Sequence, residues 1–152
     1  MIYYDKLTNI LDRKRLNTKT TDSEALNEHN SADILLIEIL EEKASLEKNR
    51  DNLREAVALQ KDAIRIAETF GSKSILLNCK FNLAKLYADQ DDLTSSENSE
   101  DLFKECIEIH EKNFDEVTEK ILKIKEEFVK FYLRQDKYDV RFVRLLYLHF
   151  MN

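Results

Sequence analysis

The side chains that could carry chemistry in this chain are two thiols and three imidazoles. They are Cys79, Cys106, His29, His110 and His149. Nucleophilic catalysis needs a nucleophile, a base and an orienting group held together, and a zinc site needs cysteines or histidines at short spacing. The three histidines lie far apart in the sequence, and no pair of histidines or of cysteines has the spacing of a metal site. We therefore predict no catalytic residues, no metal site and no bound cofactor. We expect that the protein is not an enzyme.

Phosphate loops and calcium loops also lack the residues that they need. A chain with one glycine cannot form a Gly-rich phosphate loop. Asp89, Asp91 and Glu100 have part of the spacing of a calcium-binding loop. However, Leu93 and Thr94 occupy positions that require an oxygen ligand and a glycine turn, so no calcium site is expected.

Hydroxyl side chains cluster in one acidic stretch that contains Thr94, Ser95, Ser96 and Ser99. Acidophilic kinases act on sequences of this kind, and an added phosphate would change the charge of the segment. The other interpretation of this stretch is a plain solvated loop.

Composition indicates the fold class. One glycine and no proline in 152 residues argue against a protein built from strands and tight turns. Charged residues make up 36% of the chain and apolar residues 43%, as expected of solvated helix faces around a core. The sequence therefore predicts an all-α protein that is large enough to bury a core.

The same composition limits the partners and the location. A formal net charge of −6 disfavours nucleic-acid binding, because phosphate contacts supply most of that affinity. No apolar run approaches about 20 residues, so membrane insertion is not predicted. Residues 1–11 lack the apolar segment and the cleavage site of a secretory signal. We expect a cytoplasmic or nuclear protein, not a secreted one, with Cys79 and Cys106 as reduced core residues that face each other across a helix pair.

Hydrophobic periodicity divides the chain into three segments. Apolar residues at helical spacing predict a short amphipathic helix over residues 1–16. Residues 17–30 are polar and indicate a linker or loop. Residues 31–152 are predicted to form a helical domain of about three helix pairs, with Ser31 as the N-cap of its first helix.

The first part of this domain is either one long helix or a helix hairpin. An apolar stripe runs from Ser31 to Phe70, and its only interruption is the polar stretch of residues 48–52. That break favours the hairpin. Its second arm should end at Phe70, with Gly71 as a left-handed C-cap.

Further helices follow at similar intervals. One is striped by apolar residues over 76–87, and a polar break at residues 89–99 separates it from the next, which is striped over 102–109. Asn113 with Glu116 resembles a capping box and predicts another helix start. The stripe of that helix consists of Val117, Ile121, Ile124, Phe128, Phe131 and Tyr132. After a break at residues 135–137, a final helix is predicted over 138–151.

Part of this pattern resembles a known family. Leu83, Ala84 and Tyr87 resemble the large, small and aromatic signature of the first helix of a tetratricopeptide repeat, and Phe103 with Cys106 resembles that of the second helix. The fragment from Ala63 through Gly71 to Tyr87 is similar to the longer repeats of the kinesin-light-chain and bacterial-regulator type, and an insertion at residues 90–98 elongates the spacing. The resemblance implies antiparallel helix hairpins stacked as a short α-solenoid.

The resemblance also implies a concave groove, lined by the first helix of each pair, that binds a peptide or helix of a partner protein. Residues expected to face the groove are Asn78, Phe81, Asn82, Lys85 and Asp89 in one unit and Lys123, Glu126, Glu127, Lys130 and Arg134 in the next.

Some members of the family clamp the C-terminal carboxylate of chaperones with Lys, Asn and Arg in this groove. Asn82 and Lys123 match that pattern. Glu41, Ser45 and Glu127 stand where cations or asparagine are needed. A carboxylate would be repelled there, so a chaperone clamp is not expected.

The predicted final helix is apolar around most of its circumference, whereas repeat arrays normally end in a polar capping helix. Phe142 and Leu146 belong to the apolar part, and Arg141 and Arg144 belong to a narrow basic stripe. An apolar surface of this size should be covered. Three covers remain open, namely the N-terminal helix, a second copy of the chain and a different protein.

Two functions follow as predictions. The first is an adaptor or scaffold subunit of a complex, which binds a partner protein or peptide through the groove or through the final helix. The alternative is a peptide-sensing regulatory domain of the bacterial type. In both cases the predicted partner-binding residues are those of the groove and of the final helix.

Overall fold

A computed structural model of the chain describes residues 23–70 and 72–135, together with Arg144, Tyr147 and Leu148. Within these residues it contains five helices with defined ends and no strand, which confirms the all-α prediction. The helices are α1 (Ser23–Asn49), α2 (Leu53–Phe70), α3 (Lys73–Ala88), α4 (Leu93–Asn113) and α5 (Glu119–Arg134). Neighbouring helices pack, as α1 does on α2 and α4 on α5.

The described residues divide into two compact units, and the boundary falls between Cys79 and Lys80, within α3. The first unit contains α1, α2 and the beginning of α3. The second unit contains the rest of α3 with α4 and α5. The three sequence segments predicted over 1–16, 17–30 and 31–152 stay a prediction, since residues 1–22 lie outside the described part of the chain.

A tight turn joins α1 to α2, so the predicted hairpin is confirmed. The carbonyl of Glu47 accepts hydrogen bonds from the backbone N–H groups of Arg50 and Asn52, at 3.1 and 2.9 Å. Asp51 adopts a left-handed conformation with φ of 59°, which a short polar residue tolerates. The buried Glu47 carboxylate also accepts from the Asn52 side chain at 3.0 Å, so the turn satisfies its own polar groups.

The beginning of α1 differs from the sequence prediction. The helix begins at Ser23, so Ser31 lies inside it and is not an N-cap. Residues 23–30, which the sequence assigned to a linker or loop, are helical. Glu24, Ala25 and Leu26 are good helix formers, and this intrinsic preference explains an extension without a continuous apolar stripe.

Alanines line the interior of the first unit. Ala44 on α1 and Ala56, Ala63 and Ala67 on α2 are buried, which lets the helix backbones approach closely. The buried Gln60 side chain donates to the backbone carbonyl of Cys79 at 3.1 Å and so ties α2 to α3. Helix α2 ends at Phe70 as predicted, whereas the Gly71 C-cap lies outside the described residues.

The connection between α3 and α4 is shorter than predicted. Only residues 89–92 are non-helical, and α4 begins at Leu93 because Asp92 caps it by accepting from the N–H of Ser95 at 2.8 Å. The prediction of a polar break over residues 89–99 is therefore wrong beyond Asp92. The segment that resembled an inserted loop lengthens α4 by about two turns instead.

Three serines in this stretch are buried, so the solvated-loop interpretation is wrong for them. Ser99 donates to the carbonyl of Ala84 at 2.8 Å, and Ser96 donates to the side chain of Gln135 at 3.1 Å. Ser95 donates to the carboxylate of Asp92 at 2.6 Å. Small polar side chains fill helix crossings here, a role that hydropathy does not distinguish from a loop.

The α4–α5 connection also differs from the prediction. Helix α4 ends at Asn113, and Thr118 is the N-cap of α5, since its hydroxyl accepts from the N–H of Ile121 at 3.3 Å. The predicted capping box at Asn113 and Glu116 is therefore wrong. Val117 is 76% exposed and does not belong to the apolar stripe. The other predicted stripe residues of α5 are all buried, as expected; they are Ile121, Ile124, Phe128, Phe131 and Tyr132.

Aromatic rings form the core of the second unit around Phe103 of α4. The ring of Phe103 stacks on Phe128 with centroids 5.1 Å apart and meets the edge of Phe81 at 6.2 Å. Phe131 lies 5.9 Å from the same ring. Each large buried ring removes a large apolar area from water, and such ring pairs add about 0.5–1.5 kcal/mol beyond that area. This cluster joins α3, α4 and α5.

Contacts between side chains fix the directions of these three helices. Lys80 pairs with Glu105 and Ser99 contacts Ala84, so α3 and α4 run antiparallel. The Tyr132 hydroxyl donates to Glu100 at 2.9 Å. Because Ser96 contacts Gln135 and Phe103 contacts Phe128, α4 and α5 also run antiparallel. It follows that α3 and α5 are parallel.

We predict that Phe103→Ala lowers the free energy of unfolding by about 3–5 kcal/mol, because it removes the ring that three helices share. Urea unfolding followed by circular dichroism measures this loss. Leu93→Ala is the control, since Leu93 is 64% exposed on the same helix and its truncation should change stability by at most about 0.5 kcal/mol. Equal losses for the two variants would contradict the assignment of Phe103 to the centre of the core.

Candidate interaction surface

Helix α3 leaves only a narrow stripe uncovered. No side chain from Leu76 to Tyr87 is exposed, and the half-buried ones include Asn78, Asn82 and Lys85, with Asp89 exposed just after the helix. Spacings of four, three and four residues place these positions on one face. The stripe is the one that the sequence assigned to the first helix of a pair. Asn78 belongs to the first unit and the other three residues belong to the second.

Helix α5 carries a second polar stripe on the side opposite its apolar core residues. Lys123, Glu126, Lys130 and Arg134 are exposed, and Glu127 is half-buried. Their spacing again follows the helical repeat, because Ile124, Phe128 and Phe131 occupy the buried face.

Two contacts bring the stripes of α3 and α5 together within the second unit. Arg134 reaches Asp89 with an N–O distance of 3.7 Å. Lys120 Nζ, near the beginning of α5, lies 5.5 Å from the ring centroid of Phe81 in the middle of α3, and Lys85 Nζ lies 4.6 Å from the same centroid. We call the polar residues of the two helices in the second unit the α3–α5 surface. They are Asn82, Lys85, Asp89, Lys120, Lys123, Glu126, Glu127, Lys130 and Arg134.

Phe81 does not belong to this surface, although the sequence assigned it to the groove. It is 1% exposed and packs against Phe103 in the core. The lysines 85 and 120 lie over its ring, an arrangement that favours a cation electrostatically. The sequence did contain a signal for the burial of Phe81, namely its position in the apolar stripe of α3.

Lys120 is a residue of this surface that the sequence analysis missed. It stands three residues before Lys123, near the start of α5, and its ammonium group reaches Phe81 on α3. The only signal in the sequence was this helical spacing from Lys123. Recognising the contact requires knowing that α3 and α5 are neighbours.

Charges on α5 are paired locally. Lys130 Nζ lies 2.8 Å from the Glu126 carboxylate and 3.3 Å from that of Glu127. Hydrogen bonding to the two carboxylates raises the pKa of Lys130, and the bond from Lys130 lowers the pKa of Glu126. Because these groups are on the surface, water and salt screen the pairs. A charged ligand can therefore compete for Lys130 at small cost.

Two of the carboxylates that argued against a chaperone clamp have partners within the chain. Glu127 faces Lys130, and Glu41 accepts a hydrogen bond from the Cys79 thiol at 3.0 Å. Neither glutamate can form an ion pair with the carboxylate of a ligand. The expectation that no clamp of that kind is present stays a prediction.

Three of the residues predicted to bind a partner on the final helix, Arg141, Phe142 and Leu146, lie outside the described residues. Arg144 is helical and exposed, as are Tyr147 and Leu148. The role of these residues in binding a partner, or a second copy of the chain, stays a prediction.

Neither cysteine forms a disulfide and both are buried, as predicted, with Cys79 in the first unit and Cys106 in the second. Burial raises the pKa of Cys79 well above its usual range, and the neighbouring Glu41 carboxylate adds to this rise. Burial raises the pKa of Cys106 to about 12, with a further contribution from Glu105. A thiol must ionise to act as a nucleophile, so neither thiol is activated.

The described part of the chain contains no group of three or more His, Cys, Asp or Glu side chains that could hold a metal ion. None of the helices described is long and apolar enough to cross a membrane.

Comparison of the chain with known proteins assigns no family, since no family model matches it and no curated protein matches it. The resemblance to tetratricopeptide repeats therefore depends on the residues quoted above and on the helix arrangement.

We predict that Cys79 and Cys106 react with a thiol reagent such as DTNB only when the protein unfolds. At pH 8 both thiols remain protonated and inaccessible. Their reaction with the reagent should therefore be slower than that of an exposed thiol, by a factor on the order of a hundred or more. A third thiol introduced by Lys61→Cys, at an exposed position of α2, provides the rapid reference within the same protein. Rapid reaction of the native thiols without denaturant would contradict their burial.

Proposed function

We propose that this chain is a protein-interaction module that binds a peptide or a helix of a partner protein along the α3–α5 surface. The observation that carries the proposal is the parallel arrangement of α3 and α5, supported by the contacts of Asp89 with Arg134 and of Lys120 with Phe81. Two parallel helices with aligned polar stripes offer one long surface to a linear ligand. Helix-based recognition of this kind needs no catalytic group.

The helix order supports an arrangement like that of tetratricopeptide repeats. Hairpins α1–α2 and α3–α4 are followed by α5, and small buried residues lie at the crossings, as Ala44, Ala84 and Cys106 do. In that family the first helix of each pair lines the binding groove, and in the second unit these would be α3 and α5. The short α-solenoid implied by the resemblance is part of this proposal.

The charges of the surface favour a partner of mixed charge. Cations outnumber carboxylates on it, although the whole chain carries a formal charge of −6. Its cations are Lys85, Lys120, Lys123, Lys130 and Arg134, and its carboxylates are Asp89, Glu126 and Glu127. A ligand with carboxylates near the cations, and few carboxylates near Glu126 and Glu127, would be complementary.

To test the proposal, a library of displayed random peptides is selected for binding to the purified chain. The affinity of the selected peptides is then measured by fluorescence anisotropy. We expect Lys130→Glu to weaken binding at least about tenfold, which corresponds to about 1.4 kcal/mol, because it reverses a charge at the centre of the surface. Binding should weaken further in salt, since the groups are exposed.

The chain contains a matched control for this substitution. Lys112 on α4 is exposed and pairs with Glu108 four residues earlier at 2.6 Å, as Lys130 pairs with Glu126 at 2.8 Å. Lys112→Glu thus removes the same kind of ion pair away from the α3–α5 surface, and it should leave affinity within about twofold. Equal effects of the two substitutions, or no selected peptide, would count against the proposed surface.

A further inference from the structure

His110 is a buried titratable group that the proposed function does not use. It lies in the last turn of α4 and is 5% exposed. Its Nε2 atom is 3.0 Å from the hydroxyl oxygen of Thr118, and its ring stacks on Phe114 with centroids 5.1 Å apart. Its backbone carbonyl accepts from the N–H of Phe114 at 3.0 Å. One residue therefore contacts both ends of the α4–α5 connection.

The hydroxyl of Thr118 links His110 to the beginning of α5. As the N-cap of α5, this oxygen accepts from the N–H of Ile121. When the imidazole is neutral and accepts at Nε2, the hydroxyl proton is donated to the imidazole, so all groups of this chain of hydrogen bonds are satisfied. An imidazolium would instead present an N–H to the hydroxyl, and the hydroxyl proton would lose its acceptor.

The surroundings disfavour the imidazolium. Burial lowers the pKa of His110, and the charge of Lys125 on α5 lowers it further. Glu111 on α4 acts in the opposite direction. The other charged residues around this connection are Lys112, which is exposed and pairs with Glu108, the exposed Asp115 and Glu116, and Glu119 at the first position of α5.

The two helix ends have opposing effects on a charge at this position. The C-terminus of α4 favours a cation, whereas the N-terminus of α5 disfavours one. Because these contributions oppose each other, the desolvation of an almost fully buried imidazolium is the main cost of protonation.

We propose that His110 is a proton-sensitive latch on α5, whose neutral imidazole holds the N-cap Thr118 in place and whose protonation releases it and frays the first turn of α5. The direction of the pH dependence follows from the linkage between protonation of His110 and folding. A base that is harder to protonate in the folded state stabilises that state while it is neutral. This stabilisation is complete above the unfolded value of about 6.5 and is lost as the pH falls through the lower folded value.

Nuclear magnetic resonance on the intact chain tests the latch at two points. The ring protons of His110 should titrate with a midpoint below about 6.5. Amide hydrogen exchange should show that the protection of Ile121 and Leu122 falls as the pH drops from about 6.5 to that midpoint, by at most about tenfold per pH unit, and levels off below it. The N–H of Leu122 bonds to the Thr118 carbonyl, so both amides report on the first turn, and Val129 in the middle of α5 is the internal reference.

Variants distinguish the effect of His110 protonation on α5 from a loss of stability of the whole protein at low pH. His110→Gln keeps a polar atom near Thr118 but has no charge at any pH, and it should abolish the pH dependence of protection at Ile121 relative to Val129. His29→Gln, which removes a histidine of α1, should leave that dependence unchanged. Thr118→Val should lower the protection at Ile121 at every pH, because it removes the N-cap acceptor.

Two results in the unmodified chain would overturn the proposal. One is a His110 midpoint at or above 6.5, and the other is unchanged protection of Ile121 relative to Val129 through the titration. Persistence of the pH dependence in His110→Gln would also overturn it, since another group would then be responsible. These measurements do not require the partner, so they are independent of the proposed function.

Discussion

The second unit depends on the packing of one ring, that of Phe103, against three others. This ring contacts Phe81 on α3 and both Phe128 and Phe131 on α5. Rings of this size pack well only in specific relative orientations, so the cluster restricts how the three helices can be arranged. Ser99 and Cys106, which flank Phe103 on the same face of α4, are fully buried and small enough to let the neighbouring helices approach.

The polar surface follows from that core. Because α3 and α5 both pack antiparallel to α4, they run parallel to each other, and the residues left uncovered on each form aligned stripes. Asp89 and Arg134 meet at one end of these stripes, and Lys120 reaches Phe81 near the other. The face of α4 that carries Ser99, Phe103 and Cys106 continues to His110. The core of the unit and the cap of α5 are therefore connected along one helix.

The sequence predicted this interior well, because apolar periodicity depends on burial. The stripe from Ile121 to Tyr132 and the separation of α1 from α2 at residues 48–52 could both be predicted without a structure. Helix ends were harder to predict, since they depend on single hydrogen bonds. Asp92 and Thr118 are the N-caps, and Ser31 and Asn113 had equally suitable side chains.

The candidate surface could be predicted only in part, for a related reason. The resemblance to tetratricopeptide repeats placed Asn82, Lys123, Lys130 and Arg134 on uncovered helix faces. It could not place the contact of Lys120 with Phe81, because that contact depends on which helices are neighbours. Buried serines were also misassigned, since hydropathy treats Ser99 as polar although its hydroxyl is satisfied by the carbonyl of Ala84.

The parallel arrangement of α3 and α5 around Phe103 is the central claim, and nuclear Overhauser contacts between side chains test it most directly. We expect the ring protons of Phe81 to show contacts with the Phe103 ring and with the ε-methylene of Lys120, in a protein where Phe103 also contacts Phe128. Together with contacts of Ala84 with Ser99 and of Tyr132 with Glu100, this combination requires α3 and α5 to begin at the same end of α4. Contacts of Phe103 with Phe128 but not with Phe81, or of Phe81 with Arg134 and not with Lys120, would contradict the arrangement and the surface derived from it.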